Sequence, residues 1–245
     1  MRAWMMVAYS AAAYLFFLVT FAYAAAFVGG FAFVRNIDSA PAGPVGHAIA
    51  VDVMLLAIFA VQHSVMARQG FKRWWTRIVP SPIERSTYVL AATAALALLL
   101  WQWRAIPHPV LWNMSSPLAG GLMWTLFALG WILALSSTFL IDHFELFGLR
   151  QPFAFALGRT IGPAEFGTPF LYRMVRHPLY LGLLIAFWST PHMSAGHLLF
   201  SAGTTAYIFL GIFFEERDLI AQFGSRYHDY RDRVAMILPF MTSRR

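Results

Sequence analysis

Arg176-His177-Pro178-Leu179-Tyr180-Leu181-Gly182 and Glu215-Glu216-Arg217-Asp218-Leu219 bracket a stretch, Leu183 to Phe214, that contains no Asp, Glu, Lys or Arg. Thr190-Pro191-His192 and Ser194-Ala195-Gly196 interrupt that stretch at its middle. Turn-forming residues between two apolar runs predict an antiparallel pair of spans, about 178–191 and 195–214. The pair returns the chain to the face it left and brings the two polar strings together. An arginine, a histidine, a tyrosine and two carboxylates then converge where apolar surface meets water.

The rest of the chain has the same character. Of its 245 residues, 59% are hydrophobic and 12% charged, against about a quarter charged in soluble domains. Crossing a bilayer core takes roughly 17 to 25 residues of helix. Further apolar blocks of that length lie at about 6–34, 47–66, 86–103 and 119–140. The predicted fold is an all-α polytopic transmembrane bundle of six spans, or five if the short 178–191 segment does not cross. It carries a C-terminal hairpin and an amphipathic cytoplasmic cap over 215–240. No linker, charge block or repeat marks a boundary, so residues 1–245 are expected to form a single integral-membrane domain. The first block resembles a signal peptide, but it lacks a small-residue cleavage site and more spans follow it. It is expected to be retained as a first helix.

Cationic residues orient such a bundle, because cytoplasmic loops carry the excess. Arg35 and Arg104 fall on one side. The other sixteen Lys and Arg fall on the opposite side, among them Arg68, Lys72, Arg73, Arg77 and Arg85, Arg150, Arg159, Arg173 and Arg176, and Arg244 and Arg245. Six crossings with both termini cytoplasmic satisfy this split. The formal charge of +7 suits anionic lipid heads. Nucleic-acid binding would require a basic face with exposed aromatics on a soluble fold. With no cysteine in the chain, disulfides, thiolate metal sites and cysteine nucleophiles are excluded. His47, His108, His192, His197 and His228 lie in different loops without ligand spacing, so no metal site is assigned and a haem carrier lacks its ligands. The nine tryptophans fit the aromatic belts of a membrane protein.

Within this frame a few polar residues stand out. Proline favours the first position of a helix and disfavours helix in the residue before it. Pro178 therefore places His177 at the mouth of a span with Arg176 beside it. The free N–H groups there suit an anion such as a carboxylate, while a plain interfacial anchor accounts for the same string. Glu215 and Glu216 occupy a membrane edge where basic residues are usual, and suit an ammonium group or ribose hydroxyls. Arginine and glutamate together match a zwitterionic amino-acid ligand. Leu219, Phe223, Tyr227, Tyr230 and Val234 recur at helical spacing, and Phe223-Gly224 is expected to break the cap. Gln62 and His63 lie near the end of an apolar helix, a costly position that is often functional. Asp52 lies eleven residues earlier on nearly the same face. His63 reads either as an interfacial residue bonded to lipid heads or as a base or substrate orienter facing the bundle interior. Asp142 either orients His143 or caps a helix. Glu145, Arg150 and Gln151 are expected on an interfacial turn whose Phe144, Phe147 and Leu149 touch lipid, with Arg150 within reach of a ligand.

The order Tyr172-x-x-x-Arg176-His177-Pro178-x-Tyr180-x-Gly182, then a hairpin, then Glu215-Glu216-x-x-Leu219-x-x-x-Phe223-Gly224-x-x-Tyr227-x-x-Tyr230 resembles the isoprenylcysteine carboxyl methyltransferase and phospholipid methyltransferase superfamily. The likeness covers the last third of the chain. It implies an S-adenosyl-L-methionine site involving Tyr172, Arg176, His177, Pro178, Tyr180, Gly182, Glu215, Glu216 and Tyr227. Gln62-His63-Ser64 and Asp142-His143-Phe144-Glu145-Leu146-Phe147-Gly148-Leu149-Arg150-Gln151 resemble the methanethiol S-methyltransferase family and its denitrification-associated relatives. That likeness implies a bacterial inner-membrane enzyme methylating a small thiol, with His63 or the Asp142-His143 pair as base and Gln62 and Arg150 near the substrate. A lipid or prenylcysteine acceptor, and a relative without turnover, remain as alternatives.

Overall fold

A computed structural model describes residues 1–162 and 166–239; Arg244 and Arg245, and the end of the cap at Phe240, lie outside the described residues. In chain order the elements are α1 (Arg2–Val28), α2 (Val45–Ala67), α3 (Gln69–Trp75), α4 (Ser81–Gln102), β1 (Val110–Asn113), α5 (Pro117–Ile141), α6 (His143–Leu146) and α7 (Arg150–Ala156). A 3-10 turn (Phe170–Arg173), α8 (Pro178–Trp188), β2 (His192–Ser194), α9 (Ala195–Phe223) and α10 (Ser225–Arg233) follow. Five of these helices, α1, α2, α4, α5 and α9, are long and apolar enough to cross a membrane, and α8 is a shorter apolar helix. The predicted all-α polytopic architecture is therefore present, with one small antiparallel sheet formed by β1 and β2 that alternation of apolar and polar residues does not announce.

The chain divides into two compact units. The first comprises residues 1–108 and 142–163. Here α4 packs against both α1 and α2, and α7 against α1 and α4. At the end of the unit where α4 finishes, Ala42 and Ala105 form a parallel bridge, over a fully buried layer that includes Phe27, Ile37, Leu100 and Trp103. Both cations of the minority side lie there. Arg35 donates from Nη2 to Trp103 O at 2.9 Å, and the backbone N–H of Arg104 donates to Asp52 Oδ1 at 2.9 Å. The buried Asp52 thus serves the far end of α2 rather than His63.

The second unit comprises residues 109–141 and 164–245. Its tightest contact joins α5 to α8. A Cβ on Gly182 would lie 2.5 Å from Ala134 N, and one on Gly130 would lie 2.6 Å from Ala186 N. Small residues four apart on each helix let the backbones meet, as in other membrane bundles.

α8 has 11 residues, about 16 Å of helix, half of a bilayer core of about 30 Å. Residues 189–194 form the turn into α9: the Thr190 N–H donates back to Trp188 O at 3.2 Å, the chain bends at Pro191, and only His192–Ser194 is strand. Non-helical backbone next to a bilayer is tolerated where protein satisfies it. Met114 N–H donates to Pro191 O at 2.9 Å, Trp112 Nε1 to Thr190 O at 2.9 Å, and Val110, Trp112 and Asn113 pair with Ser194, Met193 and His192. Phe187 O, at the end of α8, receives Ser201 Oγ at 2.7 Å and lies 3.0 Å from His197 Nε2. Ser194 then caps α9 by accepting the His197 N–H.

The last span runs further than its apolar run. α9 continues to Phe223, so Glu215 and Glu216 stand inside the helix, about 30 Å along it from Ala195. Gly224, with φ +57°, ends it as expected, since a positive φ is adopted readily only by glycine. Likewise α1 ends at Val28, where Gly29-Gly30 stops the helix before the apolar block is exhausted.

Candidate functional site

In the second unit the segment before α8 is pinned by backbone. Val175 bridges Ala235, and the N–H groups of Arg176 and His177 donate to Ala235 O and Met236 O at 2.8 and 3.2 Å. Pro178 occupies the first turn of α8 with His177 as its N-cap residue. This fixes three consecutive residues against the segment after α10, and the Arg176 and His177 side chains meet Glu216 of α9.

Arg176 Nε donates to Glu216 Oε1 at 2.8 Å, while its Nη1 donates to Arg231 O at 3.0 Å and Val234 O at 2.6 Å. His177 Nε2 lies 3.1 Å from the same Glu216 oxygen. Tyr180 Oη donates to Glu215 Oε2 at 2.9 Å, and His177 Nδ1 stands 3.9 Å from that oxygen. The two adjacent carboxylates therefore differ. Glu216 is enclosed, its side chain 15% exposed against 10% for Arg176 and 3% for His177, whereas Glu215 is 44% exposed. The arginine foreseen as a direct ligand donor is mostly engaged within the protein, and Glu215 presents the open polar edge.

A ring of aromatics flanks these charges. Tyr227 and Tyr230 meet edge to face at 5.8 Å, and Phe166 lies 5.3 to 5.9 Å from Phe223, Tyr227 and Tyr230. Tyr230 Oη donates to Tyr172 O at 2.6 Å, and Tyr172 Oη reaches Ser137 O at 3.4 Å. The Tyr227 hydroxyl is buried with no hydrogen-bond partner. Burial pushes the phenols of Tyr172 and Tyr227 well above the usual range and that of Tyr230 up to about 12. Gly182 is buried on the side of α8 that meets α5. Tyr230 belongs to the quoted C-terminal pattern without a role of its own, and Phe166 carried no site signal in the sequence.

The other candidate residues belong to the first unit. His63 Nε2 lies 2.8 Å from Tyr88 Oη, and its ring is flanked by Phe59 at 5.5 Å and Tyr88 at 5.3 Å. Gln62 donates from Nε2 to Met66 Sδ at 3.1 Å, and its buried Oε1 has no partner. His143, 3% exposed, places Nε2 2.6 Å from Tyr14 Oη and packs on Phe147 at 4.8 Å. Burial holds its imidazole below the usual histidine range, with the Asp142 charge acting weakly in the opposite direction. Asp142 takes the capping role: Oδ1 accepts the Glu145 N–H at 2.9 Å and Oδ2 pairs with Arg150. Arg150 also reaches Glu145 at 2.7 Å, so it closes the α6–α7 turn. Phe147 is half-buried, and its ring stacks on Phe17 at 4.0 Å within the unit. Among the described residues no cluster of three or more His, Cys, Asp or Glu could hold a metal.

No solved structure matches this chain. Among curated proteins, the methanethiol S-methyltransferase of Mycobacterium tuberculosis is 54% identical over 98% of both chains. Methanethiol S-methyltransferase 1 of Bradyrhizobium diazoefficiens is 52% identical over 96% of this chain and 82% of its own. The methanethiol S-methyltransferase of Crocosphaera subtropica is 46% identical over 95% and 91% respectively. A family model described as NnrU protein matches residues 53–237, which include His63, the His177–Glu216 cluster and the aromatic ring around Tyr227. The chain belongs to the NnrU protein family and is similar over almost its whole length to methanethiol S-methyltransferases.

Proposed function

We propose that this chain is an S-adenosylmethionine-dependent thiol S-methyltransferase that converts methanethiol to dimethyl sulfide. One observation carries the reading: in a charge cluster otherwise closed on itself, Glu215 stays open beside an aromatic ring that holds an unpartnered buried hydroxyl. Relatives at about half identity, named for this activity, support the acceptor.

The donor set fits the cofactor. S-adenosylmethionine, when bound, supplies an electrophilic methyl group on a sulfonium. Glu215 Oε1 is an acceptor for an ammonium group or ribose hydroxyls. Tyr172, Tyr227 and Tyr230 offer neutral π-faces, which attract cations, and the Tyr227 hydroxyl supplies a hydrogen bond that the protein does not consume. Arg176, Glu216 and His177 lock the start of α8 to α9 and to the end of α10. They hold Glu215 and Tyr180 in place and keep water out. Methyl transfer then depends chiefly on positioning. The acceptor thiol must lose a proton, and His63, less enclosed than His143, is the base assigned to take it, with the Gln62 carbonyl beside it.

The protein resides in a bacterial inner membrane with both termini cytoplasmic. Reporter fusions at residues 40, 110 and 193 are expected to be periplasmic, and a cytoplasmic signal at any of them would overturn this orientation. Calorimetry tests the cofactor. The parent protein binds S-adenosylmethionine, and Glu215→Gln weakens it at least about tenfold, in line with loss of one partner of a charge pair. No binding by the parent removes the methyltransferase reading, while binding with no dimethyl sulfide in the headspace of cells given methanethiol removes the acceptor.

A further inference from the structure

We infer that Tyr88 is a positioning residue for methyl transfer, acting through His63. This rests on the reading of His63 as the acceptor's base.

The inference starts from a small assembly within the first unit. Tyr88 is 6% exposed in α4, and a buried phenol is nearly always hydrogen-bonded. Its Oη lies 2.8 Å from His63 Nε2 on α2. The Arg85 guanidinium lies 5.0 Å from the centre of the Tyr88 ring on the same helix. Arg85 is itself fixed, since its Nε donates to Leu146 O at 2.8 Å. The next residue, Ser86, donates to Gly148 O at 2.6 Å and meets Ser10 at 2.7 Å. Backbone carbonyls of the α6–α7 turn therefore hold the start of α4, and Arg85 and Tyr88 pass that restraint to the imidazole.

A histidine needed only as an interfacial anchor would gain most from water and lipid heads. His63 instead has an aromatic ring on two sides and one ring nitrogen held by a phenol. Which imidazole nitrogen carries the proton is set by the hydrogen bond the other makes. A fixed phenol at Nε2 therefore orients the ring, and with Nε2–H donated to the phenol oxygen it leaves the Nδ1 lone pair to receive the acceptor's proton. None of these contacts requires the phenol to touch the acceptor.

Tyr88→Phe in the full-length protein, assayed with S-adenosylmethionine and methanethiol, tests the inference. The variant should bind S-adenosylmethionine like the parent and lose about 10- to 100-fold in kcat, the scale of a misplaced catalytic group. The acid limb of its kcat/KM profile should move, and so should the 15N resonances of the His63 imidazole in selectively labelled protein. A merely structural role would lower the melting temperature and leave the acid limb of the profile unchanged, and that result overturns the inference. If Tyr88→Phe does not fold, 3-fluorotyrosine at position 88, which keeps the ring's shape and makes its phenol more acidic, replaces it: the acid limb should move, and an unmoved limb overturns the inference. Full activity of His63→Gln would show instead that the base itself was misassigned; loss of activity in His63→Gln with an unmoved profile in Tyr88→Phe would leave the base standing and remove only Tyr88.

Discussion

The two polar clusters of this protein solve burial in different ways. Around Glu216 a carboxylate, a guanidinium and an imidazole compensate one another. In the first unit, His63 and His143 each meet a tyrosine hydroxyl. A charge cluster is stable only as a set, because removing one member leaves the others buried and uncompensated. A phenol–imidazole pair survives the loss of a partner at the cost of one hydrogen bond. The first arrangement suits holding a charged ligand, and the second suits a group that must change its protonation state.

Glu216→Ala offers the harshest test of that contrast. It leaves Arg176 without its carboxylate and should destabilise the protein by about 3–5 kcal/mol, read as a fall in the denaturation midpoint in detergent. Arg176→Met combined with Glu216→Leu should recover much of the loss. A single variant no worse than a surface substitution would mean the pair is not buried in the working protein. His63→Gln should leave the midpoint nearly intact and lower turnover by about 10²–10⁴-fold. Higher pH should partly rescue it, because more acceptor is then already thiolate. A loss that stays the same across pH would refute base catalysis by this residue.

Smaller effects sharpen the comparison. Gly182→Ala sets a methyl against the backbone of α5 and should cost about 1–3 kcal/mol by overpacking, visible in the melting temperature. The pH dependence of stability separates the clusters at opposite ends of the scale. Burial holds the His143 imidazole below the ordinary histidine value of 6.5, so the unfolded chain binds the proton first. Stability is full above pH 6.5 and falls as the pH drops below it. His143→Gln should flatten that slope. Tyr230 is raised from 10.0 to about 12, so the unfolded chain ionises first. Stability is full below pH 10 and is lost as the pH climbs toward 12, and Tyr230→Phe should flatten that limb. Unchanged slopes in these variants would place the titrating groups elsewhere. Arg150→Ala is the mildest, at most about 1 kcal/mol, because its side chain is 47% exposed and its pairs are screened.

Much of this was legible in the sequence because charge in an apolar background is conspicuous. Glu215 and Glu216 follow a long stretch without a charge, and the pairing of their helix with the segment at Arg176 follows from the hairpin alone. The tyrosine partners were not legible. Tyr14 lies 129 positions from His143 and Tyr88 lies 25 from His63, and a tyrosine in an apolar helix gives no sign of which side chain its hydroxyl will meet. Arg176 was placed correctly beside Glu216, yet its bonds to Arg231 O and Val234 O depend on a bridge between Val175 and Ala235 that no local pattern encodes. The length of the last helix shows the same limit of composition: hydropathy stops at Phe214, but helical backbone bonding does not, and Gly224 is the first residue that interrupts it.

The short helix and turn from Pro178 to Ser194 have a consequence for how the protein is made. An 11-residue helix is too short to partition into a bilayer as an independent segment, and the non-helical turn that follows it would expose bare peptide groups to lipid. The passage becomes acceptable in the membrane only once Val110–Asn113 and α5 stand ready to receive it and α9 emerges behind it. Biogenesis of this region is therefore obligately ordered. A chain released only as far as the first of these elements has nothing to hold residues 178–194, and truncation before α9 should leave them on the side of the membrane where they were synthesised.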